Sequence, residues 1–480
     1  MSLTKFVGLL AGSTLTLTGV SYGAAEANND TTAQINQLKA EIAQMKAAQG
    51  DQWLTEQRAE QIRGVVQDVL ADSSTRSSFQ QAGGATSGYD NGFFLSSADG
   101  NYKLKVNALE QVRFTWGNGY GAGNNTGPSA PSNNQWGFEN RRTQVFFSGN
   151  VVDPSWKYLV GMAYDSQVDP YVRTPDQFEI LYAQVTKTMG NGFSVTVGQQ
   201  NVAFTLQSQL FNAGMTQMGE YSIFEYAFGA GQQVGISAKW ESDMVRATGG
   251  YYNAVFLPVG SAPANSWDDQ NNQGVALAGR AEVKLAGTWD QFSKESSFKG
   301  EEFGLLAGGG IFWQTARQTN AVPVPPAGDP IGPYGFAPVG ITLDANAKFG
   351  GFNLIAQVLW QNSYAFANPD ASTWGFNLQG GAFVTEDLEV FAAWNYNNIG
   401  SIVGGVPVQG IASNYLQVGT NWYFAKNSMK MSVLGTIPLN TNAGVQGGNS
   451  YGGSFGLLET GGTGVVGNNF GLVVQLQLMF

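Results

Sequence analysis

The 480-residue chain has neither cysteine nor histidine. Without cysteine there is no disulfide and no thiolate metal site. Without histidine, Ser–His and Cys–His catalysis and the common imidazole metal sites are excluded, while carboxylate-only chemistry is not. The chain is therefore not expected to be an enzyme, and no metal or other cofactor is expected. Cations are scarce too, with 24 Lys and Arg against 35 Asp and Glu and a net charge of −11. Nucleic acid is not an expected partner, because neutralising phosphates takes a basic stripe. Long apolar runs are missing as well. Beyond the amino terminus no stretch approaches the roughly 18 residues of a membrane helix. A chain of this kind that crosses a bilayer does so as a closed β-barrel.

What is present fits that alternative. There are 64 glycines and 12% aromatic residues, a mix suited to turns, wet lumen walls and interfacial girdles. The last stretch, 469–480, alternates strictly. Phe470, Leu472, Val474, Leu476, Leu478 and Phe480 share one face, and Gly471, Gln475 and Gln477 the other. That is a strand with one oily and one wet side, about long enough to cross a membrane at a tilt. Its terminal Phe resembles the ending read by the bacterial barrel-insertion machinery.

Similar segments recur near 102–116, 139–151, 155–168, 176–189, 191–200, 232–241, 243–257, 272–287, 301–316, 339–350, 351–364, 373–385, 388–398, 413–425 and 428–438. With 469–480 they make sixteen strands. Short turns alternate with longer connections at 117–138, 169–175, 201–231, 258–271, 317–338, 365–372, 399–412 and 439–468. Such asymmetry suits short periplasmic turns and longer external loops. The connection at 288–300 is the exception, long where a short turn is due. The predicted fold is all-β: a 16-stranded antiparallel transmembrane β-barrel over 101–480, carrying a short amino-terminal α-helical extension.

Residues 1–25 read as a signal peptide: Lys5, an apolar region over Phe6–Val20, then small residues Gly23, Ala24 and Ala25. Export to the outer membrane of a Gram-negative-type bacterium follows as an expectation. Residues 28–72 read as a periplasmic helical segment. Ile35, Leu38, Ile42 and Met45 follow the 3-4-3 spacing of a coiled coil; a single amphipathic helix is the alternative. Peptidoglycan or a periplasmic protein is its expected partner. Residues 73–100 read as a linker.

A sixteen-stranded barrel leaves an aqueous channel. The aromatic-rich connection 201–231, whose only charges are Glu220 and Glu225, is the candidate constriction. Against it stand Lys103, Lys105 and Arg113 of the first strand and Arg142 of the second, a cation row facing carboxylates. Arg141 and Arg142 are adjacent, so alternation points them to opposite faces. Gly462, Gly464 and Gly467 match the dinucleotide fingerprint but lack a following helix, and read as loop. Asp268-Asp269 reads as a solvated pair.

Two stretches resemble the phosphate-selective porin O and P family. The first is Asn140-Arg141-Arg142-Thr143-Gln144-Val145-Phe146-Phe147-Ser148-Gly149, followed by Trp156-Lys157-Tyr158. The second is Val195-Thr196-Val197-Gly198-Gln199-Gln200-Asn201-Val202-Ala203-Phe204, with Met218-Gly219-Glu220-Tyr221 and Gly231-Gln232-Gln233-Val234-Gly235 after it. The resemblance implies a sixteen-stranded, usually trimeric porin in contact with outer-membrane lipid, and gives Glu220 a structural role. The family's phosphate ladder of Arg and Lys is not carried over, since Tyr221 stands where members often have Arg. Two functions then compete: passive diffusion of small hydrophilic solutes and ions, or a structural barrel whose periplasmic helix tethers the envelope.

Overall fold

The computed structural model describes residues 33, 35–44, 85–118, 134–167, 176–253, 275–314, 339–362, 372–403, 406–440, 453–455, 457, 459–460, 464–465 and 470–480. The chain divides into two units, Met1–Gly84 and Ala85–Phe480. In the first, residues 35–44 form a helix, α1, on which Ile35 and Leu38 are exposed. The expected signal peptide and the rest of the expected coiled coil lie outside the described residues.

The second unit opens with a hairpin, β1 (Thr86–Tyr89) and β2 (Phe93–Ser96). Sixteen longer strands follow: β3 (Lys103–Asn118), β4 (Asn134–Val151), β5 (Asp153–Asp165), β6 (Phe178–Gly190), β7 (Phe193–Asn201), β8 (Gln232–Glu241), β9 (Val245–Asn253), β10 (Val275–Ala286), β11 (Gly304–Gln314), β12 (Val339–Lys348), β13 (Phe352–Asn362), β14 (Ser372–Phe383), β15 (Leu388–Val403), β16 (Val406–Ala425), β17 (Met429–Pro438) and, after two short strands β18 (Glu459–Thr460) and β19 (Gly464–Val465), β20 (Phe470–Met479). Each pairs antiparallel with its neighbours. The sheet closes because β20 pairs with β17 on one side and with β3 on the other, Leu476 opposite Met431 and opposite Val112. All sixteen expected strands are present. The terminal Phe480 is held by paired backbone hydrogen bonds with Ala108, at 2.8 and 3.1 Å.

Alternation sets the wall's two faces. On β13, Leu354 and Val358 are exposed, 42% and 47%, whereas Asn353 and Gln357 are 0% and 3% exposed. Apolar side chains point outward and hydrogen-bonding ones inward, the reverse of a water-soluble domain. No helix among the described residues is long and apolar enough to cross a membrane, which says nothing of strands.

Four local readings change. Part of the stretch read as linker is the β1–β2 hairpin, whose second strand pairs with β3 from Phe93↔Val106 to Ser96↔Lys103. It extends the wall where β3 runs past the end of β20. The connection expected over 399–412 is mostly strand, since β15 reaches Val403 and β16 starts at Val406. Of the fingerprint glycines, Gly464 is strand and not loop, lying in β19 opposite Thr460.

The fourth concerns Arg141 and Arg142, which do not face opposite ways. Gln111 pairs with Arg142 and Val112 with Asn140, so Arg141 is the extra residue of a β-bulge. The bulge turns both guanidiniums inward, and both side chains are fully buried. Outside the wall beside it, Glu110 accepts a hydrogen bond from Thr143 Oγ1 at 2.8 Å.

Candidate pore constriction

Between β7 and β8 the chain turns into the barrel. Residues 202–231 carry two 3-10 turns and a short helix, α2 (Ile223–Phe228), capped by Ser222 Oγ accepting from Glu225 N at 3.1 Å. The wall's inward polar groups receive this segment's backbone. Gln111 and Gln475 donate to Gly219 O, at 3.2 and 2.9 Å. Gln477 donates to Gly214 O, Lys430 to Thr216 O and Asn421 to Gln217 O. Arg280 donates to Phe204 O from across the lumen, at 3.2 Å. Buried irregular backbone needs such partners. Gly219 has φ +71°, a left-handed conformation that favours glycine, and a Cβ there would meet Gln475 Nε2 at 2.7 Å and disturb its bond to the carbonyl.

Glu220 follows that bend and joins three arginines. Its Oε2 accepts from Arg141 Nε at 2.9 Å and from Arg113 Nη1 at 3.3 Å, and its Oε1 from Arg142 Nη2. Arg113 also donates to Glu139 at 2.5 Å and to Ser454 O at 2.9 Å. Arg142 Nε lies 3.5 Å from Asp165, and Arg141 Nη2 donates to Tyr226 OH at 2.9 Å. Three cations thus share three carboxylates. Burial alone would push the Glu220 carboxyl up, but Arg141, Arg142 and Arg113 outweigh it and hold it at about 2. On the far wall Arg280 clasps Asp344 through two 2.7 Å hydrogen bonds and reaches Glu282, which also accepts from Arg246.

The other predicted residues lie elsewhere. Lys103 sits near Asp90 of the hairpin, 3.9 Å away. Lys105 lines a cavity of about 520 Å³ at the short-turn end, with Lys294, Lys426 and Phe298. Glu225 accepts from Thr205 Oγ1 at 2.8 Å, within the insertion. Sequence reasoning missed Arg141, Glu139, Asp165, Arg280, Glu282 and Asp344. Period-two alternation could have found Arg280 and Glu282, which continue the inward face of Ala276 and Ala278.

The long connection 287–303 explains itself here. It carries a 3-10 turn, Asp290–Ser293, and folds into the lumen from the short-turn end. Glu295 meets the other insertion: its N–H donates to Met215 O at 3.0 Å, its Oε1 accepts from Gln207 at 2.5 Å, and its Oε2 from Gln217 N at 2.8 Å and Gln379 at 3.0 Å. Lys348 donates to the carbonyls of Lys294 and Ser296. With both insertions in place, each of the sixteen wall strands carries a buried inward residue.

No family model matches the chain, and no curated protein matches it. Among solved structures it is similar to the outer-membrane-expressed OmpT of Vibrio cholerae, at 11% identity and TM-score 0.45 over 78% of this chain and 98% of that one. It is also similar to the anion-selective porin of Comamonas acidovorans, at 13% and 0.47 over 78% and 99%. Salmonella typhi OmpF in complex with daunomycin aligns at 12% and 0.46 over 82% and 100%. The closed barrel stands on its own strand pairing.

Proposed function

We propose that the protein is an outer-membrane porin: an exported, homotrimeric barrel that passes small hydrophilic solutes and ions by diffusion. The observation that carries this reading is the inverted wall, apolar outside and hydrogen-bonding inside around a closed sheet. The short turns and the carboxyl-terminal end of β20 are assigned to the periplasmic side. The insertion 202–231 is the constriction, with Glu220 its anchor. Lys103, Lys105, Arg113 and Arg142 are assigned to the pore wall, and Glu225 to the constriction. Phosphate selectivity is not assigned, because Arg113, Arg141 and Arg142 already share Glu139, Asp165 and Glu220. Weak ion selectivity is expected. Single-channel conductance in a planar bilayer, with the reversal potential in a salt gradient, tests this; block by micromolar phosphate would restore the family's specificity.

The filled lumen favours a second reading, a structural barrel tethered through the α1 segment to peptidoglycan or a periplasmic protein. A correctly folded barrel that never conducts would select it.

A further inference from the structure

The wall under α2 holds amide side chains whose polar atoms have no protein partner. Gln357 on β13, Asn377 on β14 and Asn397 on β15 are 3%, 1% and 0% exposed. In all three, both the amide nitrogen and the amide oxygen lack a hydrogen bond. The register ties them into one row: Gln357 lies opposite Asn377, Asn377 opposite Asn395, and Asn397 one step further along β15's inward face. Gln361 Oε1 and Gln379 Oε1 extend the unpaired series towards the two ends of the barrel. The three fully unpaired amides therefore lie side by side across β13, β14 and β15, and Gln361 and Gln379 lengthen the patch along the strands.

Aromatic rings cover it. Phe224 and Phe228 of α2 pack with Leu359 of β13, and their rings meet edge to face at 5.1 Å. At Gly375, between Leu359 and Asn397, an added Cβ would lie 2.5 Å from Phe228 and 2.8 Å from Asn397 Oδ1. The missing side chain there lets the ring settle against the amide. Beside the unpaired amides, Asn395 bonds α2, accepting from Phe224 N at 3.2 Å. Buried amides facing rings are costly, because neither amide atom recovers the hydrogen bond it gave up with water. Such a wall calls for an occupant that brings donors and acceptors together.

We propose that this row is a binding track for an uncharged, polyhydroxylated solute, a small sugar, reached when α2 lifts from the β13–β15 wall. An amide offers one donor and one acceptor side, and so does each hydroxyl. A sugar's hydroxyl edge matches the row, and its CH face matches Phe224 and Phe228. No ionised side chain lies in the row. Its charged neighbours are engaged: Asp344, opposite Gln357, is held by Arg280, and Glu295, which accepts from Gln379, also accepts from Gln207 and Gln217. The track rests on the channel reading and adds the solute class to it.

The test is liposome swelling with the full-length protein, using glucose, maltose and the similarly sized ions gluconate and lysine, beside KCl conductance in a planar bilayer. The near-isosteric variants Gln357→Met, Asn377→Leu and Asn397→Leu remove the unpaired atoms and keep the volume. Wild type is expected to pass both sugars several-fold faster than either ion. The variants should lose most of that advantage and keep their KCl conductance. Equal permeation of sugar and ion by wild type overturns the track, and so does sugar flux unchanged in the variants; neither harms the channel reading. No permeation of any solute by wild type overturns both. Should a variant fail to assemble, the wild-type ratio of sugar to ion decides alone.

Discussion

At the scale of single residues, Glu220 is the one whose loss reaches furthest. It is 2% exposed and compensates three guanidiniums that are no more exposed than itself. Removing one partner of a buried ionic cluster strands the others, at about 3–5 kcal/mol. Glu220→Gln is therefore expected to lower the temperature at which the folded form is lost, read as heat-modified migration on a gel. The pH dependence has a definite sign. The Glu220 carboxyl sits at about 2, against an ordinary 4.5. A depressed carboxyl stabilises the fold fully above about pH 4.5, and that contribution fades as pH falls towards 2. Wild type should lose thermal stability across this window, while Glu220→Gln, having lost the term already, should be flatter. Glu220 was legible from its place in a long, nearly uncharged connection. Arg141 was not. A bulge costs one residue of register, and nothing in Asn140-Arg141-Arg142-Thr143 marks which residue is extra.

At the scale of elements, the sixteen strands were legible because each has an apolar outer side and a hydrogen-bonding inner side, which imposes the period of two on the sequence. The β1–β2 hairpin was not, because two four-residue strands in a Gly- and Ser-rich stretch carry too few alternations. The inward fold of 287–303 showed only as a turn too long for its place. It meets the 202–231 insertion through Glu295, which hydrogen-bonds Met215, Gln207 and Gln217 there and Gln379 of the β14 wall, beside a packed Phe292 and Leu206. Glu295→Ala keeps the backbone bond and removes the three to the side chain. It is expected to raise the time spent conducting several-fold in single-channel records. A second variant pair uses the chain's lack of cysteine. Met215→Cys with Glu295→Cys places one thiol on each insertion, where their backbones are hydrogen-bonded. Oxidation should hold the channel closed and reduction should release it. A current indifferent to both would mean that the insertions do not gate.

For the whole molecule, the argument is one of solvent on two sides of a single wall. Leu343 on β12 is 60% exposed, while its neighbour Thr342 is 1% exposed and faces in. If the outside is lipid, an arginine there is costly, about 2–4 kcal/mol near the bilayer midplane. If the outside is water, the same arginine is nearly free and improves solubility. Leu343→Arg, and Leu354→Arg on β13 as a second site, should therefore lower the free energy of unfolding in vesicles by amounts that depend on depth. The measurement is denaturant unfolding followed by tryptophan fluorescence. Arginine in place of exposed Glu386, in the β14–β15 turn, is the control, expected to change little because the turn lies beyond the apolar band. Equal tolerance at all three positions would place the oily face in water and remove the membrane from the account. A loss confined to Leu343 and Leu354 would fix the barrel in lipid with its short turns outside the hydrocarbon.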